Sequence, residues 1–348
     1  MVRTSPYWRV MLRSVLETAC EVLIVGAGPI GLETAAVLTA DGWDVRVVDA
    51  GPIGATIART FPPHTRFFTS PERLALFGLA VSPPQQEKLT GEDYLTYLRQ
   101  YVLTHALRVD TFTTVQRHEA GVVTTVSLAG QSRRYRADHI VLATGGTDHP
   151  RQLGVPGEDL PHVRQDLGDP HRYAGRRVLI VGGRNSAVES ALRCYRVGAQ
   201  VHLVHRCAEI HPRVKFWLRP EVVSLLQEGR ILGHMPDEVT AVTADHVQLA
   251  SGARIEVDDV LLQIGYRQDT AMFTVFDVPL RGPQNAPVVD PLTMRAGPVY
   301  VVGTATAGTQ DRFEVFIENS HDHALLVAAA LAGRPAPERT PARPLPEV

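Results

Sequence analysis

One stretch of this chain is used twice. Residues 22–49 read VLIVGAGPIGLETAAVLTADGWDVRVVD, and residues 178–206 read VLIVGGRNSAVESALRCYRVGAQVHLVHR. In each copy a short β-branched run leads into a glycine turn and then into small apolar residues at helical spacing. A further glycine, Gly42 or Gly198, precedes a second alternating run. This is the pattern of a βαβ unit that holds a dinucleotide, present twice. It predicts an α/β fold with two Rossmann-like dinucleotide-binding domains. Two such sites in one chain point to electrons passing from one cofactor to another.

The first copy has the fuller frame. Gly26, Gly28 and Gly31 follow the run Val22–Val25. The first glycine makes the tight turn, the second admits a pyrophosphate to the backbone, and the third lets helix and strand pack closely. The phosphates then meet free N–H groups at a helix N-terminus, in the favourable field of its dipole. Asp49 closes the second run, where an acid accepts hydrogen bonds from ribose hydroxyls. In the second copy, Gly182-Gly183-Arg184-Asn185-Ser186-Ala187, an arginine replaces the middle glycine and either crowds the pyrophosphate or swings out to clamp it. That copy ends in His205-Arg206 in place of an acid. A carboxylate would repel a 2′-phosphate and Arg206 would pair with one, so NADPH is favoured over NADH. Arg213 and Lys215 are expected to add to that field.

The 348 residues suffice for two cores, and the 44% apolar and 21% charged fractions are ordinary for a globular protein. A net charge of −2 gives no case for nucleic acid or an anionic membrane as partner. The longest apolar run, Ala324–Ala332, is too short to span a bilayer. Residues 1–20 read as an N-terminal extension without the apolar core of a signal peptide, and Met11 is a second candidate start. Three cysteines, Cys20, Cys194 and Cys207, are few and odd in number, which suits a reducing cytoplasm without a disulfide framework. Cys194 and Cys207 are expected to be buried or incidental thiols. No metal site is expected.

Taken in order, the chain after Asp49 enters an irregular stretch, Ala50–Thr69, containing His64. Ser70-Pro71 is expected to open a short helix to about Phe77. An amphipathic helix from Gly91 to about Leu107 follows, with Tyr97 and Tyr101 as packing residues. Short strands near Thr111–Arg117, Val122–Leu128 and Arg133–Arg136 form a small antiparallel meander, before a buried strand His139–Ala143 that ends in Thr144-Gly145-Gly146. The segment Asp138–Gly145 (DHIVLATG) is echoed by Asp258–Gly265 (DDVLLQIG), so the same ending closes both halves. The second domain is therefore expected to be inserted into the first. The division is 21–153 with 285–332 for the first domain and 154–284 for the second. Its crossings fall near Gly154–Asp159 and Asp277–Pro287, and it carries its own meander (Glu238–Val242, His246–Leu249, Arg254–Glu256). A strand Val299–Val302 and a helix from about Glu314 to Ala332 complete the first domain, and residues 333–348 read as a disordered tail.

This organisation resembles the two-domain flavoproteins of the thioredoxin-reductase type, and the resemblance implies FAD in the first domain and NADPH in the second. The chain lacks the C-x-x-C of thioredoxin reductases. Narrower likenesses lie in Phe61–Ser70 (FPPHTRFFTS), Pro156–Val163 (PGEDLPHV), Gly182–Glu189 (GGRNSAVE), Val214–Trp217 (VKFW) and Phe316–Asn319 (FIEN) followed by His323. Together they resemble the YpdA-type bacillithiol disulfide reductases over about residues 21–330. Gly303 is followed by Thr304, where thioredoxin reductases usually have an aspartate. One departure stands out. The family turn carries a cysteine where this chain has Ile30, and isoleucine forms no mixed disulfide, so either the flavin engages the substrate directly or this member does something else.

By that resemblance Gly26, Gly28, Pro29, Ile30, Gly31, Asp49, Ala50, Thr144, Gly145, Gly303 and Thr304 surround FAD, with Thr306 also in reach. Gly182, Arg184, Asn185, Ser186, His205 and Arg206 hold NADPH. The terminal helix, with Glu318, Asn319 and His323, is placed against the flavin, where one side chain would protonate a leaving thiolate. His64, His323 and Glu318 are the catalytic candidates. The expected activity is hydride transfer from NADPH to flavin and on to an acceptor, a small-molecule disulfide or a small redox protein, in a cytoplasmic homo-oligomer. Three alternatives stay open: a ferredoxin- or flavodoxin–NADP reductase, a flavin monooxygenase, and a non-catalytic flavin- or NADPH-binding regulator. The monooxygenase motif F-x-G-x-x-x-H is absent between the two sites.

Overall fold

The computed structural model describes residues 16–83, 86–311 and 314–338. The first repeat forms β1 (Leu16–Val25), α1 (Pro29–Ala40) and β2 (Val45–Val48). Val22, Leu23, Ile24 and Val47 are fully buried, as a parallel strand covered on both faces requires. α2 (Ala55–Thr60), α3 (Gly91–Thr104), β3 (Val109–Asp110), the hairpin β4 (Thr113–Glu119) and β5 (Val122–Ser127), and β6 (Ser132–Leu142) follow. β6 joins what the sequence divides into a meander strand and a separate buried strand. It runs parallel to β1 from Leu16 opposite Arg133 to Val25 opposite Leu142, while its first half also pairs with β5. Its arginines are met by acids: Arg136 and Arg134 by Glu17, Arg133 by Asp110. The same pairing draws residues 16–20, expected to precede the fold, into β1. The second candidate start, Met11, lies outside the described residues.

The chain then crosses through β7 (His149–Pro150) to β8 (Val163–Arg164), β9 (Arg177–Val181), α4 (Asn185–Arg196) and β10 (Gln200–Val204). α5 (Arg219–Gln227) and β11 (Leu232–His234) follow. The expected meander is present as β12 (Val239–Val242), β13 (His246–Leu249) and β14 (Arg254–Glu256), before β15 (Asp259–Leu262). β16 (Tyr266–Arg267) pairs antiparallel with β7, so the two crossings run side by side. α6 (Ala271–Val275), β17 (Leu280–Arg281), β18 (Ala286–Pro287), β19 (Arg295–Ala296), β20 (Val299–Val301) and α7 (Asp322–Leu331) complete the chain.

The first sheet has the order β19-β20-β6-β1-β2-β3, with the β4–β5 hairpin attached to β6. The second has the order β11-β10-β9-β15-β8. The triplets β2-β1-β6 and β10-β9-β15 are superimposable in order and direction, all parallel. The internal echo in sequence thus marks the strand that takes the same place beside each dinucleotide turn. Because β20 returns to pair with β6, the second Rossmann-like domain is inserted into the first. The return comes earlier than expected. Phe273, Phe276 and Val278 are buried with Leu23, Val25 and Leu142, so the chain is back on the first sheet soon after β16. Large apolar side chains on the short α6 complete that core.

Three further expectations change. α3 ends at Thr104 and starts with a capping box in which Thr90 Oγ1 accepts from Asp93 N–H and the Asp93 carboxylate accepts from Thr90 N–H. Only a 3₁₀ turn forms at Pro71–Arg73, because the stretch after it is laid over α3 by tyrosines. Tyr94 donates to Leu74 O, Tyr97 to Leu79 O and Tyr101 to Phe77 O, at 2.7–2.9 Å. These are packing residues, as expected. The terminal helix is broken: Ile317–Asn319 is a 3₁₀ turn and α7 begins only at Asp322. Asn319 Oδ1 accepts from Phe316 N–H and Ser320 Oγ donates to Phe316 O, side-chain bonds that compete with helix continuation. Past α7, Arg334 pairs with Asp41, and the rest of the expected tail, 339–348, lies outside the described residues. Among the described residues no helix is long and apolar enough to cross a membrane.

Candidate functional site

Both glycine turns open into one cleft of about 2210 Å³. At the first, a Cβ on Gly26 would stand 2.3 Å from Ala143 O and one on Gly31 2.1 Å from Gly26 O, while a Cβ on Gly28 would meet nothing within 4 Å. The outer glycines are needed for packing, and the middle one faces empty space. The α1 N-terminus has no side-chain cap, and Pro29 begins it. Thr144 Oγ1, beside Gly26 just past the end of β6, is buried with no hydrogen-bond partner among the described residues. An uncapped helix end, an open glycine and an orphaned hydroxyl suit a phosphate-bearing nucleotide. Asp49 accepts from Ala27 N–H at 2.6 Å and from Gly51 N–H at 2.7 Å, one bond to each oxygen. A carboxylate has about four acceptor positions, so both oxygens keep capacity for a ribose. Burial raises the Asp49 pKa against the pull of those two bonds.

The second turn has the same backbone and a different surface. Gly182 has φ 138° and a Cβ there would lie 2.4 Å from Gln263 O, repeating the packing of Gly26. A Cβ on Gly183 would instead strike the His205 ring at 2.4 Å. Arg184 swings away from the turn and donates to Asp311 O at 3.0 Å. Asn185 Oδ1 accepts from Lys215 N–H. Arg184, Asn185 and Ser186 line the cleft, whereas His205 and the exposed Arg206 lie outside its lining. Burial, then the nearby charges of Arg206, His211 and Arg184, lower the His205 pKa, so its ring is neutral at pH 7. Lys215 does not join Arg206. It is 6% exposed and pairs with Glu189 at 3.1 Å, on the other side of the turn.

The end of the last strand closes the cleft. Gly303 (φ 68°) is covered by Ile30, whose Cβ would be 3.1 Å from an added Cβ, and its N–H donates to His323 Nδ1 at 3.0 Å. Ile30 is 5% exposed. Gly145, Ala50, Thr304 and Glu318 also line the cleft. Thr306 turns its hydroxyl back to Gly303 O. Of the three catalytic candidates only Glu318 lines the cleft, from the 3₁₀ turn and not from α7 as expected. His323 stands behind Gly303, and His64 is exposed at φ 63° in the loop before α3.

His321 was not anticipated. Its Nδ1 lies 2.8 Å from Glu33 Oε2 and its Nε2 2.9 Å from Arg73 O. Both partners are acceptors, so both ring nitrogens carry protons. Burial opposes that charge, but the bond to Glu33, the Glu33 charge and the Arg73 carbonyl outweigh it and hold the pKa above its ordinary value. The thiols are quiet: burial pushes Cys20 up to about 11 and Cys194 up to about 12, and Cys207 is exposed and unpaired with another cysteine. Among the described residues no group of His, Cys, Asp and Glu is arranged to hold a metal ion.

A two-domain fold with paired dinucleotide turns on one cleft defines an oxidoreductase that couples two nucleotide cofactors. The profile of the pyridine nucleotide-disulphide oxidoreductases matches residues 23–303, and the chain belongs to that family. It is 31% identical, over 90% of its length and 98% of the relative's, to bacilliredoxin reductase Bdr of Bacillus subtilis. Two solved structures are similar throughout. Bacillithiol disulfide reductase Bdr (YpdA) from Bacillus cereus has a TM-score of 0.85 and 30% identity, covering 91% of this chain and 99% of that one. The Staphylococcus aureus counterpart has a TM-score of 0.84 and 27% identity, covering the same 91% and 99%.

Proposed function

We propose that this chain is an FAD-containing, NADPH-dependent reductase of low-molecular-weight disulfides such as bacillithiol disulfide. The observation that carries the proposal is that two uncapped helix N-termini, from two βαβ units, open on one cleft with room beside Gly28. The FAD-binding body comprises 21–153 and the return segment through 332, and the NADPH-binding body the insertion that starts at 154. When bound, the flavin relays two electrons from NADPH to the acceptor. The chain's residues do the rest. The N–H groups at the start of α1 and the Thr144 hydroxyl hold the flavin nucleotide's phosphates, and Asp49 takes its ribose. The α4 N-terminus with Arg184 receives the second pyrophosphate once Arg184 leaves Asp311, and exposed Arg206 supplies a cation for the 2′-phosphate. Reducing a disulfide with NADPH takes up one proton, and Glu318, one of the carboxyls lining the cleft, is the candidate to carry it. With Ile30 at the family's cysteine position, Cys20 and Cys194 buried, and Cys207 exposed but outside the cleft lining, none of the three thiols reaches the cleft. Electrons therefore pass to the disulfide without a protein mixed disulfide. The buried thiols also suit a reducing cytoplasm.

NADPH consumption with bacillithiol disulfide, ferredoxin and oxygen offered in parallel tests this. The disulfide should be preferred by at least ~10-fold in kcat/KM, and preference for ferredoxin would overturn it.

A further inference from the structure

Five stretches of this chain resemble one reductase family, and three of them meet around a single carboxylate. Glu189, on α4 just past the second turn and on the wall of the same cleft, is the meeting point. Its Oε1 accepts from the Thr65 hydroxyl of the first domain at 2.7 Å and from Arg193 Nη2 at 2.9 Å. Its Oε2 accepts from Lys215 Nζ at 3.1 Å. Lys215 also donates to Arg66 O at 2.7 Å, and Arg193 to Pro63 O, both in the first domain. Beside this knot Trp217 stacks on Phe68 at 6.0 Å and 26°, with Lys88 over both rings. Every charged member is largely buried: the side chains of Glu189, Lys215 and Arg193 are 11%, 8% and 16% exposed. Buried ion pairs add little net stability, but they select one geometry, because separating the partners strands a charge. These partners lie on two domains, so the geometry selected is that of one domain on the other.

We propose that Glu189, with Lys215 and Arg193, is a positioning clasp that sets the second dinucleotide turn across the cleft from the first. The loop Phe61–Ser70 is its receiving half, held in turn at the start of α3, where Phe67 N–H donates to Leu89 O and Gly91 N–H to Thr65 O. Thr65 and the carbonyls of Pro63 and Arg66 read the position of α4, and Asn185 ties Lys215 to the turn itself. The clasp rests on the reading of the two turns as nucleotide sites, but its geometry can be tested without either cofactor.

The test compares wild type with Glu189→Gln and Thr65→Val, the latter removing the Thr65 hydroxyl's bonds to Glu189 and Arg193 while preserving shape. Hydrogen–deuterium exchange is followed in peptides 61–70 and 211–219 of the cofactor-free protein. Flavin reduction by saturating NADPH and the NADPH dissociation constant are followed in loaded protein. Glu189→Gln should speed exchange in both peptides together by at least ~10-fold and slow flavin reduction by a similar factor. The NADPH dissociation constant should stay within ~2-fold, and Thr65→Val should show the same pattern in weaker form. Unchanged exchange overturns the clasp, as does a dissociation constant that weakens in step with the rate, since that would make Glu189 a binding residue. If Glu189→Gln does not fold, Thr65→Val decides by the same criteria. Wild-type protein that takes up no flavin would count against the proposed function, while the exchange result would still judge the clasp.

Discussion

The two glycine turns share a backbone and part company at the middle glycine of the frame. At Gly28 the first turn presents bare space, and an acid lies behind it. At the matching position the second turn carries Arg184, bonded to a carbonyl of the other domain, and the preceding Gly183 lies against the His205 ring. The first turn is thus shaped in advance for a resident nucleotide. The second must move Arg184 before its pyrophosphate seat is clear, which suits a ligand that comes and goes. Homologous βαβ units can therefore serve a permanent and a transient dinucleotide through the side chains laid over the turn, with no change of fold.

The largest effects should come from filling the glycines. Gly26→Ala forces a Cβ into Ala143 O at a positive φ and should cost about 3 kcal/mol or more of stability in urea melts. Gly183→Ala has only to push the His205 ring aside and should cost about 1 kcal/mol. Gly28→Ala should leave the melt within ~0.5 kcal/mol of wild type yet weaken FAD binding by at least ~10-fold. If Gly28→Ala bound FAD normally, the contrast between the turns would fail.

Next in size is the phosphate partner. Arg206→Ala should raise KM for NADPH ~10-fold or more while barely changing that for NADH, as loss of one charged hydrogen bond implies. Equal effects on the two coenzymes would remove Arg206 from that role.

A pH-dependent effect concerns the wall of the cleft beside Glu33. The folded-state pKa of His321 is raised, so its pairing with Glu33 stabilises fully below the unfolded value near 6.5. That contribution fades as pH climbs through the raised folded value. His321→Asn should therefore destabilise by about 1–2 kcal/mol at pH 6 and by clearly less at pH 9. A pH-independent loss would mean the ring acts by packing alone.

The repeated βαβ units, the inserted order and the second meander were legible because each rests on local periodicity and glycine chemistry. What the sequence hid depends on partners far along the chain. Lys215 reads as one more cation near Arg206 until Glu189 and Arg66 are seen around it. A hint was available, since Glu189 and Arg193 are spaced for an i,i+4 pair on α4. His321 gave no signal, because its partners Glu33 and Arg73 are remote in sequence. The terminal helix was over-extended because Asn319 and Ser320 cap the backbone locally. The early return of the chain went unseen because α6 is too short to show periodicity.

The central claim is that the cleft brings a resident flavin and an incoming NADPH together. Anaerobic mixing of FAD-loaded protein with NADPH in a stopped-flow instrument tests it most directly. One FAD should bind per chain, and the flavin band should bleach within seconds, at roughly 1–10³ s⁻¹. Protein that stays colourless after soaking in FAD, or a flavin band that NADPH leaves untouched, would contradict it.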